Sequence, residues 1–238
     1  MVRIDSPVPR RRSRSGVARR TSAPPPARTS VPQPPGAGVS RPGPGGAPGG
    51  VDLARIERAA REIIIAIGED PAREGLVKTP ARIARAYAEL TRGLRIDPRV
   101  YLQTVFREKY KQIVLLRNIT FHSICEHHFL PFVGRAHVAY LPRHRVVGLS
   151  KLARVVEGFA LRPQLQERLT DQIADAIMEG LRPLGTICVI DASHTCMTIR
   201  GVQKPGTSMV TSAIRGTFVH NHATRTEVLN LIYGSSGL

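Results

Sequence analysis

The chain has 238 residues, a hydrophobic content of 42% and a formal net charge of +17. This length fits one domain with enough core to fold without disulfides, and no run reaches the 18 or more apolar residues that a membrane helix needs. Three cysteines are too few, and odd in number, for a disulfide framework, so a reducing, cytoplasmic setting is expected.

The first 50 residues differ from the rest of the chain, because Pro, Gly, Ser, Ala and Arg dominate them. They hold nine arginines and one aspartate, a net charge of +8, which leaves +9 for residues 51–238. Such a segment buries too little apolar surface to offset the entropy lost on ordering, so we expect a disordered tail. The charge of the remainder suits a small polyanion as well as a nucleic acid.

The next segment, residues 51–108, is predicted to be helical. Apolar residues at helical spacing follow Asp52, a suitable N-cap. Thr79 stands before a proline and predicts the N-cap of a second helix, and Asp97 opens a shorter third one. Two basic residues lie in the second helix, where the pattern alone favours a solvated face: Arg82 and Arg85.

From residue 109 to residue 238 the apolar period shifts towards two, which predicts a sheet. Strands are predicted at residues 112–121, 132–140, 146–149, 186–200 and 208–219. Two helices are predicted between the third and fourth of these strands, the first of them capped by Ser150, and a last helix near residues 224–232. Helices followed by an antiparallel sheet that a helix pair interrupts indicate an α+β fold.

Thiol and imidazole side chains cluster in two short segments, Cys-Glu-His-His at 125–128 and His-Thr-Cys at 194–196. These are the ligands that zinc prefers, and one loop can close the Cys-x-x-His spacing around a single ion. The candidate ligands are Cys125, His128 and Cys196. Three protein ligands leave a fourth position for water, as in catalytic zinc sites.

Strand alternation supports this site. If residues 186–200 form one strand, then His194, Cys196 and Arg200 share one face. A strand face with an imidazole, a thiol and a guanidinium is unsuited to a hydrophobic core but suited to a functional site. Cys188 has the same parity, and it is either a further ligand or a buried core thiol.

The histidines beside the candidate ligands allow two interpretations. A closed structural zinc site needs a fourth ligand, which His127 or His194 could supply. Alternatively, both histidines move protons beside the metal, because an ordinary imidazole can take up and release a proton near neutral pH.

A hydroxyl and two cations meet at a predicted helix start, in Ser150, Lys151 and Arg154. Free backbone N–H groups at a helix N-terminus favour an anion, and with Arg200 these side chains would hold a polyphosphate. The alternative is an ordinary capped helix with solvated bases.

The next predicted helix begins near Gln166 and Glu167. The Glu167 carboxylate can accept two N–H bonds from a guanine edge. It could equally be a capping or i,i+4 partner.

Four segments, in order, carry a resemblance to a known family: Cys-Glu-His-His-Phe-Leu-Pro-Phe (125–132), Gly-Leu-Ser-Lys-Leu-Ala-Arg (148–154), Gln-Leu-Gln-Glu-Arg-Leu-Thr (164–170) and His-Thr-Cys-Met-Thr-Ile-Arg-Gly (194–201). With Gly-Leu-Val-Lys-Thr-Pro-Ala-Arg (75–82), they resemble the zinc-dependent GTP cyclohydrolase I family from about residue 52 onward. Two departures, Leu161 and Arg215, lie away from the metal and guanine positions.

The resemblance implies hydrolysis of GTP to 7,8-dihydroneopterin triphosphate and formate, the first step of folate and tetrahydropterin synthesis. It implies the tunnelling fold, an antiparallel sheet with two helices on one face. It also implies a homodecameric toroid with sites at subunit interfaces.

The resemblance assigns roles residue by residue. One Zn²⁺ ion per subunit is held by Cys125, His128 and Cys196. The catalytic residues are His127, His194 and Ser150. Guanine is bound by Gln166 and Glu167. The triphosphate is bound by Lys151, Arg154 and Arg200, and from a neighbouring subunit by Arg82 and Arg85.

A different class of function is the alternative. The charge would also fit a nucleic-acid-binding protein with a structural zinc site. Aromatic residues make up only 5% of the chain and tryptophan is absent, so platforms for stacking bases are scarce. We therefore expect GTP as the partner, with no membrane and no specific nucleic acid.

Overall fold

The computed structural model of the chain describes residues 50–234. The predicted disordered tail, residues 1–50, lies outside the described residues except for its last residue. Seven α-helices are found in the described range: α1 (Leu53–Ala66), α2 (Thr79–Leu90), α3 (Leu149–Ala160), α4 (Gln166–Leu181), α5 (Thr195–Thr198), α6 (Thr217–His220) and α7 (His222–Tyr233). Seven strands accompany them: β1 (Val105–Arg107), β2 (Val114–Cys125), β3 (Pro131–Leu141), β4 (Arg145–Val147), β5 (Pro163–Gln164), β6 (Gly185–His194) and β7 (Met209–Gly216).

The N-terminal helices begin close to the predicted residues. The Asp52 side chain caps α1 by accepting the Arg55 N–H at 2.9 Å. The predicted Thr79 cap is wrong by one residue, because Lys78 is the N-cap of α2 and the Thr79 hydroxyl donates to the Gly75 carbonyl at 3.3 Å. The third predicted helix is a 3₁₀ helix, Pro98–Leu102, capped by the Asp97 side chain.

A five-stranded sheet carries the core, in the order β5-β2-β3-β6-β7. All its neighbours are antiparallel except β5, which pairs parallel to the end of β2 at Cys125. Helices α3 and α4 cover one face, where Val138 and Tyr140 join the main core cluster. Alternation sends Ala139 to the other face, under α7. The predicted α+β fold with two helices on one face is confirmed.

A separate two-stranded sheet joins β1 to β4. The sequence analysis predicts no strand at Val105–Arg107, because three residues are too few to show a period of two. Strand β4 leads through Gly148 directly into α3.

Two sequence predictions are wrong at the ends of elements. The predicted strand 186–200 stops at His194, and the chain turns into the one-turn helix α5, where the Thr195 hydroxyl donates to the Pro131 carbonyl at 2.6 Å. The shared strand face of His194, Cys196 and Arg200 therefore does not exist. Ser150 is not a cap either, since α3 begins at Leu149 with Gly148 as its N-cap.

Both departures from the family pattern have a place in the fold. Arg215 on β7 donates to Asp171 at 2.6 Å and to Asp175 at 2.8 Å, and both carboxylates lie on α4. Leu161 is 2% exposed just after α3. None of the helices within residues 50–234 is both long and apolar enough to cross a membrane.

Arg162 joins the N-terminal part to the end of α3. Its Nη2 donates to the carbonyls of Gly93 at 2.7 Å, Gly158 at 2.8 Å and Ile96 at 3.4 Å. Gly93 has to be small, because an added Cβ would lie 2.4 Å from the Gly158 carbonyl oxygen. One guanidinium thus holds three carbonyls at a close backbone contact.

We expect Arg162→Leu to lower the free energy of unfolding by about 2–3 kcal/mol, because hydrogen bonds from a charged donor to partly buried carbonyls are lost. Thermal unfolding measures this as a fall in Tm of roughly 4–12 °C. Arg58→Gln, at an exposed position of α1, is the control and should change little. Equal Tm values for the two variants would contradict this role.

Candidate active site

Three candidate metal ligands converge at the end of β2. The Sγ atoms of Cys125 and Cys196 and a ring nitrogen of His128 lie within 4.8 Å of one another. Cys125 is the last residue of β2, and a tight loop follows it, in which the Phe129 N–H donates to the Cys125 carbonyl at 2.9 Å. Two thiols and an imidazole at this separation are a donor set that fits zinc.

Cys196 reaches this cluster from α5 and not from a strand. Burial raises the pKa of the Cys196 thiol, the facing Cys125 sulfur raises it further, and Arg200 lowers it. The Cys125 sulfur therefore opposes the ionisation of Cys196. A bound cation would remove that opposition, because it stabilises both thiolates.

The ligand loop is tied to the start of α4. The Glu126 N–H donates to the Gln164 carbonyl at 3.0 Å, and the Glu126 carboxylate accepts from the Arg168 guanidinium. This bond to Arg168 lowers the pKa of Glu126. The loop that carries His127 and His128 is thus held against the helix turn that carries Glu167.

Gln166 fixes the orientation of His194. The Gln166 side chain is 1% exposed, and its Nε2 donates to the carbonyls of Met209 at 2.7 Å and Ile190 at 3.2 Å. Its Oε1 therefore faces His194 Nε2, at 2.8 Å. An amide oxygen only accepts, so this network assigns the proton of the neutral imidazole to Nε2 and leaves Nδ1 as an acceptor.

The surroundings of His194 keep its ring neutral. The imidazole stacks on Phe132 with 4.4 Å between ring centroids and 4° between ring planes. Burial lowers the pKa of His194, and the charge of Glu167 partly offsets this. Glu167 is exposed in the first turn of α4 and follows Gln166, whose side chain contacts this ring.

A cavity of about 300 Å³ opens beside His194. Its walls come from the end of β6, α5 and the start of β7: Ala192, His194, Met197, Thr207, Ser208 and Met209. This volume lies at the lower end of small-ligand sites, and part of its lining is apolar.

The basic candidates are spread more widely. The positive charge of Arg200 lowers the pKa of Cys196. The Arg154 guanidinium lies over the Tyr101 ring, 5.8 Å from its centroid, and borders a second cavity between β2 and α3.

The structure does not bring every candidate together. Within residues 50–234, no ion pair joins the cluster to the candidates Ser150, Lys151, Arg82 or Arg85. Arg82 and Arg85 are exposed on α2.

One functional contact was missed by the sequence reasoning, which assigns Gln166 to guanine. The polar atoms of the Gln166 side chain are occupied by β6, β7 and His194. No spacing signal could have predicted this, because the contact depends on how β7 pairs with β6.

Comparison with known proteins gives the family. The model of the family "GTP cyclohydrolase I" matches residues 56–233. This chain belongs to the GTP cyclohydrolase I family. It is therefore an enzyme, a hydrolase of the GTP cyclohydrolase class, and residues 1–55 lie outside the family match.

Relatives named GTP cyclohydrolase 1 agree with this assignment. The protein of Pelotomaculum thermopropionicum is 59% identical over 186 residues, which cover 78% of this chain and 99% of that protein. The Thermobifida fusca protein is 56% identical over 79% of this chain and 92% of its own length. The Bacillus subtilis protein is 56% identical over 76% and 96%. A crystal structure of an archaeosine synthase QueF-Like in the apo form is a distant match, with a TM-score of 0.39 and 18% identity over 45% of this chain and 97% of that one.

Proposed function

We propose that this enzyme hydrolyses GTP to 7,8-dihydroneopterin triphosphate and formate, with one zinc ion per subunit, as the first step of folate and tetrahydropterin synthesis. The supporting observation is the convergence of Cys125, His128 and Cys196 next to a histidine of fixed orientation. Two thiolates in the ligand set need a reducing compartment, which supports a cytoplasmic setting.

The ligand set would hold zinc through two thiolates and the His128 imidazole. When bound, zinc supplies a Lewis acid that ionises water near neutral pH. The exposed Glu126–Arg168 pair holds the ligand loop beside α4. The ligands would therefore keep their position relative to Glu167 when substrate enters.

Two histidines would move protons. His194, held through Nε2 by Gln166, presents Nδ1 as the atom that takes up a proton and delivers it to the guanine imidazole ring. His127 is exposed beside His128, with 6.2 Å between the ring centroids, and would exchange protons with solvent.

Substrate would be held at its two ends. Glu167 would accept N–H bonds from the guanine edge, with the base in the cavity beside His194. The triphosphate would be held by the cations Lys151, Arg154 and Arg200. Ser150, exposed in the first turn of α3, would assist the rearrangement of the ribose.

Assembly would complete the site. Strand β5 pairs with only Ile124 and Cys125 of β2, and β7 is the last strand at the other edge. Long stretches of both edges therefore lack a partner among residues 50–234. Open edges favour pairing with further copies. This supports the toroidal homodecamer, in which Arg82 and Arg85 of a neighbouring subunit would reach the phosphates.

We also propose a division of the chain into a tail of residues 1–50 and a GTP cyclohydrolase I domain of residues 51–238. Within that domain, residues 51–108 form the helical N-terminal part and residues 109–238 the catalytic part. The family match over residues 56–233 supports these outer limits.

The direct test is incubation of the full chain with GTP, followed by oxidation and detection of a fluorescent neopterin product. We expect product to accumulate in proportion to enzyme and time. Zinc-loaded, folded protein that leaves GTP unchanged would overturn the proposed reaction.

Deletion of residues 1–50 separates the proposed enzyme from the nucleic-acid-binding alternative. We expect the shortened chain to keep its kcat/KM for GTP, because the candidate site residues and the family match lie beyond residue 50. Steady-state kinetics measure this, and a gel-shift assay with RNA and DNA runs beside it. Nucleic-acid binding that vanishes or falls steeply on deletion of residues 1–50, in a chain without GTP turnover, would favour the alternative.

A further inference from the structure

A further cleft, separate from the two cavities described above, lies at the open end of the β1–β4 sheet. It has a volume of about 540 Å³ and is lined by Arg107, Glu108, Lys109, His144 and Arg145. This size is within the usual range of small-molecule sites, roughly 300–1,000 Å³. None of its lining residues belongs to the zinc, guanine or triphosphate positions described above.

The strand register places two like charges against each other. Arg107 of β1 is the direct partner of Arg145 of β4. Like charges at directly opposed positions destabilise an antiparallel pair, and a two-stranded sheet has little stability of its own. The other end of the sheet is anchored, because Val147 is buried and its N–H donates to the Tyr140 hydroxyl at 3.2 Å.

The cations of this cleft are not neutralised by ion pairs in the part of the chain that the structure describes. Within residues 50–234, no ion pair involves Arg107, Lys109 or Arg145, although Arg215 elsewhere engages two aspartates. Two further exposed cations stand in the adjoining turns, Lys111 and Arg143, and Glu108 is the one acid in the cleft lining. An anion from outside would relieve this repulsion.

We propose that the cleft binds a small polyphosphate anion. The guanidinium groups of Arg107 and Arg145 would bind neighbouring phosphate groups from opposite strands, because the guanidinium fork matches phosphate oxygens. Lys109 adds a third cation. The cations are confined to a single cleft, whereas a nucleic-acid duplex engages roughly 6–10 phosphates along an extended surface.

Binding of an anion in this cleft would also affect the start of α3. Strand β4 ends at Val147, and Gly148 and Leu149 lead straight on to Ser150 and Lys151. An anion that bridges β1 and β4 would stabilise the strand that leads into this turn. The inference concerns binding alone and does not depend on the proposed reaction.

Hydrogen–deuterium exchange of the full chain, with and without inorganic tripolyphosphate, tests the proposal. We expect slower exchange in peptides that cover residues 105–111 and 143–147. In the double variant Arg107→Gln/Arg145→Gln we expect tripolyphosphate to bind roughly tenfold more weakly. At the same tripolyphosphate concentration, the protection of these peptides should therefore be lost. Exchange in residues 149–154 is scored apart from these peptides, because an anion at the proposed triphosphate position would also slow exchange there.

Two further variants make the result specific. Arg58→Gln/Arg61→Gln removes the same charge from exposed positions of α1 and should keep the protection. Lys109→Gln lies outside the strand pair and should weaken binding without affecting the sheet, which keeps the test valid if the double variant misfolds.

Three results would overturn the proposal. These are no protection of residues 105–111 and 143–147 in the unaltered chain, equal protection in the Arg107/Arg145 variant, or protection by single-stranded RNA but not by tripolyphosphate. The last result would make the cleft a nucleic-acid surface.

Discussion

Cys196→Ser is expected to remove both zinc and GTP turnover. Serine replaces a soft thiolate with an oxygen that remains protonated at neutral pH, so the cluster keeps only Cys125 and His128 as ligands. We expect zinc affinity to fall by more than roughly 100-fold, the upper range for changes to groups that merely support a ligand. Turnover should fall by about 10³-fold or more, because Lewis-acid stabilisation is worth several kcal/mol.

The matched control for this variant is Cys188→Ala. Cys188 is fully buried, and it lies in the main core on the face that α3 and α4 cover. Its loss should cost about 1–2 kcal/mol of stability as a small core truncation and leave zinc content unchanged. Metal analysis after dialysis measures both variants. Stoichiometric zinc in Cys196→Ser, or zinc loss in Cys188→Ala, would contradict the ligand assignment.

Gln166→Leu is expected to lower kcat by about 10²–10⁴-fold, the range that a positioned proton-transfer group contributes. Leucine cannot accept the His194 Nε2–H, so the ring loses the bond that fixes its tautomer. Zinc content should stay at the normal value. Stability should fall by about 1–3 kcal/mol, because the carbonyls of Ile190 and Met209 lose a donor.

A second buried glutamine provides the control. Gln164 is also 1% exposed, and its Nε2 donates to the Phe159 carbonyl at 2.9 Å and to Gln172 at 2.8 Å, with no bond to a histidine. Gln164→Leu should lose similar stability and keep its kcat. If Gln166 acts through His194, then Gln166→Leu/His194→Ala is no slower than His194→Ala alone. Additive losses, or an unchanged kcat in Gln166→Leu, would refute that role.

Much of the fold could be predicted from the sequence, because helices and strands of ordinary length have a visible period. The Asp52 cap and the long strands β2 and β3 are examples. Strand β1 could not be predicted, because three residues carry no period. The end of β6 at His194 could not be predicted either, because the mixed polar and apolar segment after it fits an extended strand or a turn equally well.

The three candidate metal ligands lie together as predicted, although part of the reasoning was wrong. Cys125, His128 and Cys196 do converge. Cys196, however, reaches them from α5 and not by alternation along a strand. Ligand chemistry and spacing were enough to select these residues. The path by which the backbone brings Cys196 to the other two depends on tertiary packing, which the sequence pattern does not show. The same limit applies to Gln166, whose partners come from two other strands.

The most direct test of the whole account uses GTP labelled at C8 and protein stripped of metal. Zinc is added in steps, and released labelled formate is counted against bound zinc. We predict no formate without zinc, and a rate that rises in proportion to bound zinc and levels off at one ion per subunit. Formate release at full rate from zinc-free protein, or intact GTP with one zinc bound per subunit, would contradict the account.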